Sequence, residues 1–231
     1  MATPAAAAQP LRHTALVRVT HWIAALCSFA LLLTGFEIVV SHPRFYWGES
    51  GSVNTTPLFK IPIPASRDTV PTGYGFVLPD QNGWSRALHF ESAWFIAITG
   101  LVYFIGGLAS RHFRRNLVPS AQELAAIPAT LRHHLRLEKP SAAYNPLQKL
   151  TYLTVLAILF PLTIWTGLAM SPAFVSILPA TSALLGGQQS ARTVHFFLSL
   201  ILLAFLIIHV AMIVIAGFRN RMQAMITGRL K

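Results

Sequence analysis

The chain has 231 residues, 54% hydrophobic and only 11% charged, with a mean hydropathy of +0.55 and a formal net charge of +11. Such a balance excludes an ordinary soluble domain, in which about a quarter of residues are charged, and points to an integral membrane protein. The positive charge lies in short segments flanking apolar runs, where topology and anionic headgroups account for it, so it gives no argument for nucleic acid.

The first apolar run, about residues 15–40, is long enough for a hydrocarbon core of ~30 Å, which takes about 20 helical residues. It is too long for the apolar core of a secretory signal, and no small-x-small cleavage site follows before Ser41-His42-Pro43, so a retained span is expected. A loop over residues 41–85 comes next, stiffened by Pro43, Pro57, Pro62, Pro64, Pro71 and Pro79 and carrying Phe45, Tyr46 and Trp47. A loop of that length is more often functional than idle, and a lid or docking platform is expected. The second span covers about residues 86–110. After it, Ser120-Ala-Gln-Glu123 has the spacing of a capping box. The stretch from Leu124 to Leu137 then mixes apolar residues with Arg132, His133, His134 and Arg136, as an interfacial amphipathic helix would. The third and fourth spans cover about residues 148–170 and 192–218. The fold class expected is all-α: one membrane domain over residues 1–231, a four-helix bundle with a long periplasmic loop and a cytoplasmic interfacial helix.

With four spans, both termini share a side with the loop between spans two and three. The opposite side holds Arg44, Lys60, Arg67, Arg86 and Arg192, and the remaining thirteen of the 18 Lys and Arg lie with the termini. That bias places both termini in the cytoplasm. Cys27 is the only cysteine, so an internal disulfide, a Cys-x-x-Cys-His haem attachment and cysteine-built iron–sulfur or zinc sites are all excluded.

The fourth span contains His195 and His209, fourteen residues apart, which on a helix is about 21 Å of rise and close to four whole turns. Both imidazoles therefore leave the same face, and an ionisable group inside a span is a functional candidate by default. His21 opens the first span on the cytoplasmic side and His89 opens the second on the outer side. The topology thus offers one histidine pair per leaflet, His21 with His209 and His89 with His195. Zinc would want three or four ligands at one depth, and a di-iron carboxylate site would want paired glutamates, of which only Glu37 and Glu91 lie near the spans. Two imidazoles from facing helices suit the two axial positions of a b haem, and two such haems are expected. Arg18, Arg86 and Arg192 each precede one of these histidines by three residues, one helical turn toward the surface, where they suit haem propionates. Arginines at span ends also simply snorkel. His112 is the rival ligand for the inner site.

The Arg-Val-Thr-His21-Trp22 opening, His89 at the head of the second span and the His195/His209 pair resemble the prokaryotic cytochrome b561 and nickel-hydrogenase b-type cytochrome family. Tyr144-Asn-Pro-Leu-Gln-Lys149, Thr166-Gly-Leu-Ala-Met-Ser-Pro172 and His42-Pro-Arg-Phe-Tyr-Trp-Gly-Glu49 are similar to its branch associated with molybdopterin oxidoreductases such as thiosulfate reductase. The resemblance implies a di-haem cytochrome b subunit in the bacterial inner membrane. It would join a menaquinone or ubiquinone pool to a periplasmic molybdopterin oxidoreductase or hydrogenase. His13, Asn145 and Tyr152 are candidate quinone neighbours near the cytoplasmic haem. Two other functions stay open at this point. One is a stand-alone superoxide:quinone oxidoreductase; the other is a transporter using buried histidines as proton relays, which would hold no haem.

Overall fold

A computed structural model describes residues 13–52, 54–62, 82–129, 132 and 146–229. In chain order come α1 (Ala15–Ser41), the short strands β1 (Arg44–Phe45) and β2 (Phe59–Lys60), α2 (Asn82–Ala109) and α3 (Ala121–Ala125). These are followed by α4 (Pro146–Ala169), α5 (Pro172–Ile177), α6 (Ala180–Ala183), α7 (Gln188–Ile215) and α8 (Phe218–Thr227). Four of these helices, α1, α2, α4 and α7, are long and apolar enough to cross a membrane. Their ends lie within about one turn of those expected from hydropathy.

The long helices bury small and polar residues and expose large apolar ones, the pattern expected when lipid replaces water as the surrounding solvent. On α1 the buried residues are Thr20, Cys27, Thr34 and Ser41, at a strict seven-residue spacing, while Leu26, Phe29, Leu33 and Phe36 face outward. On α2 the buried hydroxyl residues Ser85, Ser92 and Thr99 keep the same spacing, with Ile96 also buried and Trp94, Phe95, Ile98 and Leu101 exposed. Small side chains at that period let backbones come close, and hydroxyls inside a span can satisfy themselves on the carbonyl one turn back. Thr20 does so on Leu16 O (2.8 Å) and Thr34 on Ala30 O (2.7 Å).

By internal packing the chain forms two compact units. One comprises Met1–Ala25, Thr99–Leu150 and Leu206–Lys231; the other comprises Leu26–Ile98 and Thr151–Phe205. In the first, α8 turns away from α7 at Gly217, whose φ of 97° is open to glycine and strained for other residues. The last carbonyls of α8 have no partner within their own helix. The Arg18 guanidinium donates to Ile226 O (2.7 Å) and the Trp22 indole to Met225 O (3.2 Å), so α1 caps α8, and the cation sits where the helix dipole favours it. The capping box is also in place: Ser120 Oγ accepts from Glu123 N (3.2 Å) and Glu123 Oε2 accepts from Ser120 N (2.8 Å). Lys149 pairs with the other carboxylate oxygen at 2.6 Å. Half of the expected interfacial helix, including His133, His134 and Arg136, lies outside the described residues.

In the second unit, a stretch of the loop folds onto the start of α7. Arg44 pairs with Lys60 and Phe45 with Phe59 in an antiparallel ladder that hydropathy alone does not signal. Gly48 O accepts from Gln189 N (3.0 Å) and Ser190 N (3.2 Å), and Glu49 Oε2 accepts from Gln188 N (3.2 Å). These are first-turn amides with no partner inside α7, so the loop supplies its N-terminal cap. Thr193 donates to Tyr46 O (2.7 Å), and Gly48 N donates to Ser190 Oγ (2.7 Å). In α4 a π-helical turn spans Val155–Leu159, just before Pro161. Proline has no amide to donate and its ring crowds the preceding turn, and a wider turn relieves both problems.

Candidate cofactor sites

The loop-proximal site begins with four helices of the second unit. His89 of α2 and His195 of α7 face each other with ring centroids 6.3 Å apart and planes at 64°. Behind each ring stands a threonine from another helix. Thr34 Oγ1 on α1 lies 2.9 Å from His89 Nδ1, and Thr166 Oγ1 on α4 lies 2.9 Å from His195 Nδ1. His195 Nδ1 is also 3.1 Å from Thr163 O. A carbonyl oxygen can only accept, so Nδ1 carries the proton and Nε2 keeps its lone pair. Gly35 and Gly167 follow the two threonines, and a methyl at either position would stand 3.5 or 3.6 Å from the Cε1 of the same ring. Glycine leaves that side of each imidazole bare.

The terminus-proximal site lies in the first unit. His21 of α1 and His209 of α7 have centroids 6.3 Å apart and planes at 57°. Trp22, the tryptophan that caps α8, presents its ring at 74° to His21 with 5.5 Å between centroids. The four histidines expected as ligands are therefore brought together two by two. Among the described residues no group of three or more His, Cys, Asp or Glu could hold a metal ion.

The remaining candidates fall elsewhere. Arg192 donates to the backbone oxygens of Arg44 (3.1 Å) and His42, with its guanidinium carbon 4.8 Å from the Phe45 ring centre. Its first task is to pin the loop. A guanidinium has five N–H donors, so donors remain for an anion. Arg18 is engaged on α8, and Arg86 is exposed. His112 bonds Asn116 Nδ2 (3.0 Å) and leans edge-on against Tyr103 (6.0 Å); burial lowers its pKa. His13 N donates to Gly228 O (3.4 Å), Tyr152 packs edge-on to Phe205 (6.4 Å), and Asn145 lies outside the described residues. The two threonines are what the sequence reading missed. A threonine inside a span reads as a self-satisfied hydroxyl, and the Thr-Gly pairs at 34–35 and 166–167 do not mark them out, because Thr99-Gly100 stands in the second span as well.

The model of the prokaryotic cytochrome b561 family matches residues 12–228. The chain belongs to that family. This cytochrome is thus an integral membrane, haem-binding electron-transfer protein, and the family implies haem b. It is 29% identical over 224 residues to a protein of Azospira oryzae named "Putative protein-methionine-sulfoxide reductase subunit YedZ1", covering 94% of this chain and 96% of that one. No solved structure matches it. The residues present fit the group. Metal–imidazole bonds of about 2 Å on each side, plus about 1 Å from each nitrogen to its ring centre, leave trans rings about 6 Å apart, the separation both pairs have. Neutral imidazole is also the donor that haem iron takes axially.

Proposed function

We propose that this cytochrome holds two b haems, one between His89 and His195 and one between His21 and His209. It would pass electrons between a membrane quinone and an oxidoreductase docked on the opposite face. The observation that carries this reading is the pair of facing imidazole couples, each from two helices and each at the same 6.3 Å separation. Haem b held by a histidine from each of two helices would supply one-electron redox chemistry, and two such ligands would leave the iron no position for oxygen or peroxide. The chain's own work is to hold the rings, fix which nitrogen is protonated and exclude water. Arg18, Arg86 and Arg192, each one turn from a ligand, are the proposed propionate partners.

The charge bias puts the termini and the His21–His209 pair toward the cytoplasm, where quinone exchange is proposed. The loop side then faces the periplasm. There Trp47 and Leu58, each 60% exposed, stand on a base in which Phe45 is 1% exposed. A rigid base with exposed aromatic and aliphatic tips suits a protein interface, whose energetic centres are commonly large apolar anchors. The Azospira relative is named as a subunit of a protein-methionine-sulfoxide reductase, which supports an oxidoreductase as the partner; a periplasmic enzyme of the molybdopterin class is the partner proposed.

The test is haem stoichiometry with difference spectra on protein purified from membranes. Two low-spin b haems per chain are expected. His89→Ala or His195→Ala should remove one haem and leave the other, and His21→Ala or His209→Ala should do the reverse. A haem-replete preparation with one haem, or a His112→Ala variant that loses a haem while His21→Ala keeps both, refutes the assignment.

A further inference from the structure

The loop-proximal site has an internal likeness that its ligands alone do not require. On α1 and on α4, which are far apart in sequence, the same four-residue device recurs. Thr34 on one helix and Thr166 on the other each present a hydroxyl to a ring nitrogen, with a glycine directly after the threonine; Thr163 O also reaches His195 Nδ1, and Leu31 holds the corresponding place three residues before Thr34. The hydroxyl protons are already committed. Thr34 donates to Ala30 O at 2.7 Å, and Thr166 donates to Leu162 O at 2.9 Å. Each Oγ1 is therefore left as an acceptor, and each imidazole Nδ1–H is the donor. Thr34 is 0% and Thr166 1% exposed, so water does not compete for either bond. A hydroxyl serving only its own helix needs the back-bond alone. Two of them aimed at the two facing imidazoles, each at 2.9 Å, make a matched pair.

We propose that Thr34 and Thr166 are positioning residues that hold both rings in the Nδ1–H form and lower the reduction potential of the haem between them. This rests on the reading that His89 and His195 bind a haem. Accepting a hydrogen bond from Nδ1–H moves electron density toward Nε2 and makes that nitrogen the stronger donor. Oxidised iron carries one more positive charge than reduced iron, so it gains more from the stronger donor. Removing the acceptor therefore raises the potential. The Thr163 carbonyl remains on His195 in any side-chain variant, so the effect of replacing Thr166 is partial.

The test uses the full-length holoprotein carrying Thr34→Val, Thr166→Val, both together, or the matching serine substitutions. Haem content and a spectroelectrochemical titration are measured on each. Each valine should raise one midpoint only, changing the ferric-to-ferrous ratio at fixed potential by up to about tenfold, or about 59 mV for one electron. The double variant should shift further, and serine should restore the parent value. Loss of one haem in the valine variants with full recovery in serine also supports the assignment, because only the hydroxyl is common to threonine and serine. Unchanged midpoints at full haem content, equal shifts of both midpoints, or loss in serine as well as valine would overturn it. Failure of the underlying haem reading is separately visible, since His89→Ala and His195→Ala would then keep the full haem content of the parent protein.

Discussion

Replacing Arg192 with methionine should free the loop from α7 while leaving the spans intact. The change removes charge-assisted donors from two backbone oxygens, those of His42 and Arg44, and takes a cation from the face of Phe45. A buried acceptor stripped of its donor costs about 1–3 kcal/mol, and a cation–π contact about 0.5–2 kcal/mol. Methionine keeps most of the apolar stem, so packing loss is small. Thr193 still holds Tyr46 O, and Ser190 still accepts from Gly48 N, so part of the attachment survives. A net weakening of about 3 kcal/mol corresponds to local opening more frequent on the order of a hundredfold. Hydrogen exchange over residues 42–62, in nanodiscs and under conditions where reclosing is fast, reads that population directly. Arg192→Lys should recover only part of the loss, because an ammonium does not reproduce the planar fork. Less than about threefold acceleration in the methionine variant would refute the clamp, since even one unsatisfied carbonyl should exceed that.

Gly187→Ala should be worse than Arg192→Met: its φ is +115°, and a methyl there would lie 2.5 Å from the backbone of Gly48, so loop exchange and the temperature of haem loss should both shift further. Burial, then the Arg192 cation, holds the His42 pKa below its ordinary 6.5. Folding therefore favours neutral His42, and loop attachment should be full above about pH 6.5 and weaken as pH falls below it, a dependence that His42→Gln should flatten in the same exchange experiment. The Lys149 ammonium, then the Ser120 amide, holds Glu123 below its ordinary 4.5. That contribution is present above the ordinary 4.5 and lost as pH falls through the lowered folded value, so Lys149→Ala should speed exchange in α3 at pH 7, by a margin that shrinks as acid titrates the carboxylate. On the proposed docking, Trp47→Ser with Leu58→Ser should weaken coupling to the proposed partner while the haem spectrum stays as it was; undiminished turnover with that partner would remove the loop as the docking surface.

The four spans were legible because hydropathy over about 20 residues is a local property, and so was the capping box at Ser120, which is complete within four residues. The start of α7 was not. Arg192 looked like the head of the span, yet the helix begins at Gln188, because its first amides are capped by Gly48 and Glu49 from far upstream in the chain. Arg192 is read from the sequence as a propionate partner, and its additional hold on two loop carbonyls is invisible without the fold. The histidines stood out because ionisable groups are rare in lipid, whereas Thr34 and Thr166 were hidden by a hydroxyl's capacity to satisfy itself on its own helix.

The wide turn at Val155–Leu159 gives α4 a phase as well as a path. A single π-type turn accommodates one residue more than the regular helix, and one residue is about 100° of rotation. Tyr152, before the turn, packs against Phe205, while Thr166, after it, reaches His195. Deleting any one residue of the turn would leave the span's hydropathy and almost all of its length intact. It would also swing Thr166 and Gly167 together off the ring they serve, so α4 has a register that its composition does not reveal.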